Sequence, residues 1–292
     1  MLASGGFSLV YLARDGRRAE VAIKEYLPAA LATRKRGSTV PTVAESTAAA
    51  YRHGLQCFFD EAKALSSLSH PNVVRVLDFF RAHDTAYMVM SHETGGTLKD
   101  RILAQKKPPP ELWLRQTFVE LLDGLREVHA RRLLHLDIKP GNIYLRSDGS
   151  PLLLDFGAAQ SAFVGERHVG PHTLTRGFAP IEQHTRGHIG PWTDLYAIGA
   201  TMWSCLCGKA PPPANKRAEK DRLKPAVRQF AGIYSRQLLE AVDWCLQMDQ
   251  MSRPQKVDDL LDFLNREPAA ALAPEPESLL IRLGLKLPWN RK

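Results

Sequence analysis

Long apolar runs are missing from this 292-residue chain. Nothing approaches the ~18 or more consecutive apolar residues that a membrane-crossing helix requires. The N-terminus has neither the charged nor the apolar region of a signal peptide. No membrane span is expected, therefore, and a cytoplasmic location follows by default. Cysteine is scarce as well: Cys57, Cys205, Cys207 and Cys245 fall in predicted helices, with no CxxC pair facing a second at zinc-like spacing. Reduced, mostly buried thiols are expected. Concentrated charge is the third absence. Lys and Arg outnumber Asp and Glu by 39 to 31, for a net charge of +8. The excess is scattered over RKR at 34–36, KK at 106–107, RR at 131–132, KR at 216–217 and the C-terminal RK. With no basic block and no aromatic-interleaved stripe, solvated surface charge accounts for it and a nucleic-acid partner is not expected. The hydrophobic content of 44% is enough to bury one large or two modest cores, and at ~100–200 residues per domain the length favours two lobes.

What is present is concentrated in residues 133–157, LLHLDIKPGNIYLRSDGSPLLLDFG. Two apolar or alternating segments, IYLR and PLLLDF, read as strands, and Ser147, Asp148, Gly149 and Ser150 supply the turn between them. Such a hairpin brings two acidic loops together. Asp137, Asn142 and Asp155 offer oxygen ligands for a hard cation such as magnesium, which usually shares its coordination with phosphate. Lys139 adds a positive charge. HxDxKPxN followed by DFG resembles the catalytic and magnesium-binding loops of the eukaryotic-type (Hanks-type) serine/threonine protein kinases, and the pairing of the two motifs is specific.

That resemblance implies an α+β, two-lobed protein-kinase-like fold. It would have a small antiparallel-sheet N-lobe with one main helix (1–92), a larger, mostly helical C-lobe (93–266), and a linker with a basic-apolar tail (267–292). It also implies ATP and Mg2+ as cofactors and a protein substrate carrying Ser or Thr, with autophosphorylation open. In the central loop Asp137 would orient the attacking hydroxyl and Lys139 would offset charge on the γ-phosphate. Asn142 and Asp155 would be the metal ligands. His135 would pack against Phe156.

Other segments extend the resemblance. LASGGFSLVYLARD and GRRAEVAIKEYL alternate around a turn at Asp15 and Gly16, as a phosphate-covering hairpin would. The kinase pattern GxGxxGxV falls on Ala3, Gly5, Ser8 and Val10, so only the middle glycine is kept. Only Met1 and Leu2 precede Ala3, and a clipped first strand is expected. Lys24, in VAIK with Ala22, matches the lysine that holds the α- and β-phosphates. Glu61, on a helix expected over 52–69, would orient it, with Asp60 as the competing carboxylate. Met90 would set the depth of the adenine pocket, and the backbone from Ser91 to Glu93 would read the adenine edge. The implied nucleotide-binding set is thus Ala3, Gly5, Val10, Ala22, Lys24, Met90, Ser91, Glu93, Asn142 and Asp155.

Residues 28–50 lack periodicity and read as an insertion, with a helical start near Glu45. An amphipathic helix is expected over 111–131, with Leu114, Phe118, Leu121, Leu122, Leu125 and Val128 on one stripe. Residues 157–182 read as an aperiodic activation segment with hydroxyls at Ser161, Thr173 and Thr175. Thr175 would bond Asp137, and Glu182 of APIE would pair with Arg253 of MSRP. Asp194 and Gly199 open a further helix, an irregular basic connector follows PPPANKR, and helices near 235–247 and 255–265 end the lobe. One departure stands out: the family's HRD is HLD here, and Leu136 removes the arginine that commonly grips an activation-loop phosphate. Two other readings stay open. The reduced glycine loop suits a catalytically weak or dead scaffold, and the HxDxxxxN loop also occurs in small-molecule phosphotransferases, against which DFG, APIE and Arg253 argue.

Overall fold

The computed structural model describes residues 1–156, 160–161, 174–185 and 187–266. It divides into two compact units at Thr94 and Gly95. Gly157, Thr173 and the tail at 267–292 lie outside the described residues, as does most of the expected activation segment.

The first unit is built on a five-stranded antiparallel sheet. Its strands are β1 (Ala3–Ser4), β2 (Ser8–Arg14), β3 (Glu20–Tyr26), β6 (Val76–Ala82) and β7 (Thr85–Ser91), in the order β1-β2-β3-β7-β6. The first strand is only two residues long. His83 and Asp84 close the β6–β7 hairpin with φ of 52° and 56°. Positive φ at both central residues is what a twist-matched two-residue hairpin demands.

Residues 28–47 are more ordered than their lack of periodicity suggests. They contain the paired two-residue strands β4 (Ala32–Thr33) and β5 (Thr42–Val43), then a 3-10 turn at Glu45–Thr47. The main helix α1 runs Ala48–Ser66 and therefore begins four residues before the expected position. Its small residues Ala48, Ala49 and Ala50 carry no amphipathic signal but are good helix formers. Tyr51, Phe58, Ala62 and Leu65 are buried. Tyr26 lies against Tyr51 and Phe58, with ring centroids 5.3 and 5.7 Å away.

The second unit is mainly helical: α2 (Leu98–Ala104), α3 (Glu111–Ala130), α4 (Ile181–Thr185), α5 (Pro191–Cys207), α6 (Ala214–Glu219), α7 (Ala226–Gln229), α8 (Arg236–Cys245) and α9 (Val257–Asn265). Among the described residues five short strands accompany them: β8 (Gly95–Thr97), β9 (Leu133–Leu134), β10 (Ile143–Arg146), β11 (Pro151–Leu153) and β12 (Gln160–Ser161). PPPANKR itself forms most of α6, and the connector read as irregular holds α7. Each follows a proline, Pro213 and Pro225, whose restricted φ suits a helix start. The apolar stripe of α3 is fully buried.

Helix α5 is buried on all sides from Thr193 to Cys207, as a central helix must be. Pro191 starts it, and Gly208, in the left-handed region at φ 71°, ends it. Of the four cysteines, Cys205, Cys207 and Cys245 are buried and Cys57 is exposed. Helix α8 crosses α5 at Gly199, where a Cβ would stand 2.4 Å from Cys245 Cβ. Gly199→Val should therefore overpack this crossing and cost about 1–3 kcal/mol. The urea midpoint measures this, and an unchanged midpoint would show that the helices can part freely.

Candidate active site

In the first unit, pairing register decides which side chains share a face, because directly opposed residues on neighbouring strands point the same way. Ala3 opposes Val10, Val10 opposes Lys24, and Lys24 opposes Met88. Two residues along, Leu12 opposes Ala22 and Ala22 opposes Met90. Ala3, Val10, Ala22, Lys24 and Met90 thus lie on a single face of the sheet. Gly5 sits at the bend from β1 into β2 and donates its N–H to the Ser8 carbonyl at 2.9 Å.

Helix α1 presents Glu61 to Lys24, with Nζ to Oε1 at 3.4 Å and both side chains less than a tenth exposed. The ammonium also lies 5.5 Å from the centre of the Phe58 ring. Asp60, the competing carboxylate, instead accepts from Gln56 at 2.9 Å on the exposed side of the helix. Ser91 ends β7 and donates its N–H to the Arg75 carbonyl at 3.1 Å. Glu93 follows the strand.

In the second unit the centre is Asp137. Its Oδ2 accepts from Lys139 Nζ at 2.6 Å and from Asn142 Nδ2 at 3.0 Å, while Oδ1 accepts from the Thr175 hydroxyl at 2.7 Å. Lys139 Nζ reaches Thr175 Oγ1 at 3.1 Å, closing a triangle of charge-assisted bonds. Asn142 Nδ2 also donates to the Asp137 carbonyl at 2.9 Å. With its nitrogen so engaged, the amide turns its oxygen away from Asp137.

Asn142 immediately precedes β10. The register Ile143 to Leu153 continues with Leu154 N–H donating to the Asn142 carbonyl at 2.8 Å. Asp155 therefore stands one residue beyond Asn142's partner, at the open end of the same hairpin. An amide oxygen and an exposed carboxylate fit a magnesium ion, which takes one or two protein oxygens and completes its shell with water and phosphate. Among the described residues no cluster of three or more His, Cys, Asp or Glu forms an all-protein metal cage.

Backbone strain accompanies this geometry. Leu136 has φ 62° and Asp155 has φ 57°. A positive φ is tolerated by aspartate, but for leucine it costs of order 1–3 kcal/mol and persists only where the surroundings over-determine it. The surroundings here are the carboxylate of Asp194 on α5, fully excluded from solvent. Asp194 accepts from His135 N–H at 2.9 Å, Leu136 N–H at 2.8 Å and His129 Nε2 at 2.8 Å. The Leu136 carbonyl in turn accepts from Gln183 Nε2 at 3.0 Å. His135 is itself buried, receiving Asp137 N–H on Nδ1 at 3.3 Å and pairing Nε2 with the Leu154 carbonyl at 2.9 Å. Its ring centroid lies 4.4 Å from that of Phe156.

Burial alone would push the Asp194 carboxyl up, but the hydrogen bond from the His129 ring and the His135 N–H hold it below the usual carboxylate range. His129 and Gln183 carry no role that the sequence alone suggests. Gln183 ends the PIEQ stretch of the activation segment and His129 lies in the last turn of α3, but neither position signals its partner.

Glu182 and Arg253 meet as expected. The pair is bidentate, at 2.7 and 3.2 Å, and buried. Thr193 adds a hydroxyl to Glu182 at 3.1 Å, and Arg253 gives its other protons to the carbonyls of Gln247 and Met248 at 2.7 and 3.0 Å. Every charge in the pair is thus hydrogen-bonded, which is the condition for burying it without a net loss.

A five-stranded antiparallel sheet with one main helix in the first unit and a mainly helical second unit are those of the protein kinase fold. The chain belongs to the protein kinase domain family, whose profile matches residues 1–263. It is similar to serine/threonine-protein kinase pkn2 of Myxococcus xanthus, at 30% identity over 227 residues, covering 71% of this chain and 26% of that protein. Serine/threonine-protein kinase TAO3 of Homo sapiens is 28% identical over 275 residues, covering 91% of this chain and 28% of that protein. The solved structure of PpkA-294 in its apo form superposes with a TM-score of 0.80 at 34% identity, covering 90% of this chain and 94% of the other. The two curated relatives are long, and the chain spans about a quarter of each. No helix among the described residues is long and apolar enough to cross a membrane.

The Asp194 carboxyl supplies a test by titration. Because its folded pKa lies below the unfolded one, its stabilisation is complete above the ordinary Asp value of about 3.9 and disappears as pH falls through the lower folded value. Asp194→Asn should lower stability at neutral pH and flatten the loss of stability below about pH 4. Urea midpoints against pH read this out, and an acid limb as steep as wild type would sink the assignment.

Proposed function

We propose that the chain transfers the γ-phosphate of ATP to serine or threonine hydroxyls of proteins. The observation that carries this reading is the Asp137–Lys139–Thr175 triangle, a carboxylate and a cation held together with an activation-segment hydroxyl. Asp137 accepts or orients the proton of the attacking hydroxyl, as a general base positioned within hydrogen-bond reach does. Lys139 offsets charge on the moving phosphoryl group, and its place two residues after the aspartate is the arrangement associated with serine/threonine specificity. Thr175 holds Asp137 and shapes the groove that receives the peptide.

Lys24, oriented by Glu61, holds the α- and β-phosphates. A bare lysine would sample many rotamers, and the buried carboxylate restricts it. Ala3, Gly5, Val10 and Ala22 cover the nucleotide, and Met90 limits the depth of the adenine pocket. Ser91 and Glu93 read the adenine edge through their backbone; since the Ser91 N–H already bonds Arg75, Ser91 contributes its carbonyl. Asn142 and Asp155 hold magnesium, which neutralises phosphate charge when bound. A protein substrate, autophosphorylation at activation-segment hydroxyls such as Ser161 or Thr173, a cytoplasmic site of action and indifference to nucleic acid complete the proposal.

Asp155→Ala and Asp137→Ala should each abolish phosphate transfer from radiolabelled Mg-ATP to a generic basic protein. Undiminished transfer by the Asp155→Ala form would overturn the assignment. Leu136 supplies the second prediction. With no arginine at that position to grip a loop phosphate, phosphatase treatment should change activity by less than tenfold, or about 1.4 kcal/mol of barrier. A larger loss on dephosphorylation would refute it.

A further inference from the structure

The face of the first unit's sheet opposite Lys24 carries a second charged cluster that phosphate chemistry does not use. Glu25, next to Lys24 on β3, points the other way by strand alternation and is only 1% exposed. Its carboxylate is saturated. Oε2 accepts from Tyr11 at 2.8 Å and from Arg34 Nη1 at 2.9 Å, and Oε1 accepts from Tyr87 at 2.9 Å and from Arg34 Nη2. Two of these donors belong to the sheet, on β2 and β7. The third, Arg34, belongs to residues 28–47, which join the Lys24 strand to the Glu61 helix.

Both ends of that connection are tied down. At its start, Leu27 N–H donates to the Phe7 carbonyl and Ala29 N–H to the Gly6 carbonyl, each at 3.0 Å, so β3 pairing continues onto the Gly-rich turn. Leu31 and Ala32 then fold back on the Pro28 carbonyl, both at 2.9 Å. Strand β4 pairs with β5, and Thr47, the residue before α1, donates its hydroxyl to the Leu31 carbonyl at 3.2 Å. Arg34 follows β4 directly. One ion pair therefore fastens the middle of a segment whose beginning supports the Gly-rich turn and whose end launches the Glu61 helix.

We propose that residues 28–47 form a strap, locked on the outer sheet face by Glu25 and Arg34, that holds the Gly-rich turn and the start of α1 in register with Lys24. Glu25 and Arg34 are thus positioning residues. The fork of the guanidinium makes the lock directional, because two parallel N–H groups meet two carboxylate oxygens. Burial pushes the Glu25 carboxyl up, yet the hydrogen bonds from Arg34, Tyr11 and Tyr87 bring it below its usual value, so the ion pair is charged at neutral pH. The strap also bears on the glycine pattern. With only Gly5 of the three glycines kept, the turn gains its support from the Leu27 and Ala29 amides instead.

The consequence for ATP rests on the kinase reading above, and the experiment separates the two. Hydrogen–deuterium exchange on the full 292-residue chain compares wild type with Arg34→Ala, Arg34→Lys and Tyr87→Phe. In Arg34→Ala the amides of residues 27–33 and 45–55 should exchange about tenfold faster or more, the scale set by losing hydrogen bonds to a charged group. Arg34→Lys, which keeps charge but not the fork, should fall between, while β7 and residues 95–266 keep wild-type rates. Initial rates with a basic protein acceptor should show the KM for ATP rising about tenfold in Arg34→Ala with kcat changed less than about twofold, a loss of binding rather than of chemistry. Wild-type exchange in both windows would overturn the strap. So would a loss of protection spread evenly over residues 1–94 in both Arg34→Ala and the milder Tyr87→Phe. Should wild type itself transfer no phosphate, the kinase reading falls, and the exchange comparison still decides the strap.

Discussion

The buried carboxylate of Asp194 is the constraint on which the second unit's chemistry depends. It is the common acceptor for His129 at the end of α3 and for the consecutive N–H groups of His135 and Leu136. The two backbone bonds tie the loop after β9 to the central helix and hold Leu136 in a conformation it would not adopt alone, while His129 ties in α3. Asp137 follows immediately, so its side chain inherits that orientation. Residues away from the Asp137 carboxylate thus decide where it points. The same economy appears at Glu182, which takes hydrogen bonds from both Thr193 on α5 and Arg253 and so fixes the end of the activation segment to the helical core.

The first unit follows a different plan, set by strand alternation. Neighbouring residues Lys24 and Glu25 are buried on opposite faces of β3, and each is matched by an opposite charge from a separate element. Lys24 meets Glu61 of α1, whereas Glu25 meets Arg34 of the segment leading to α1. A single strand therefore receives the same connection twice, through its end and through its middle. Both pairs are desolvated, and both depend on full hydrogen bonding to offset that cost. The tyrosines on β2 and β7 supply this for Glu25.

Several parts of this arrangement were legible in the sequence because they rest on local rules. HLDIKPGN and DFG carry their own turn chemistry, and the apolar stripe of α3 follows from a 3.6-residue period. Pairings such as Glu182 with Arg253 and Thr175 with Asp137 were legible only through resemblance, since sequence spacing alone does not bring residues so far apart into contact. The helical start near Glu45 is where the insertion turns into α1, but the order of the residues before it leaves no sequence signal. Two-residue strands and an alanine-rich helix start leave no periodicity, and their order comes from bonds to Gly6, Phe7 and Glu25 elsewhere in the chain. Helices α6 and α7 are likewise too short to leave a pattern in the sequence.

By itself, the sequence determined that the chain carries the protein kinase motifs in order, with a complete set of charged residues, one glycine of three in the loop, and leucine where an arginine is usual. Those are properties of residue type and spacing, and no folding is needed to read them. Tertiary structure decided which of two adjacent carboxylates, Asp60 or Glu61, meets Lys24, because only one points inward from α1. It also decided that Asp194 holds the backbone of His135 and Leu136 and that Arg34 clasps Glu25. Burial is the physical reason. A charge removed from water must find its partner wherever the fold provides one, and that partner is set by packing across the chain rather than by distance along it.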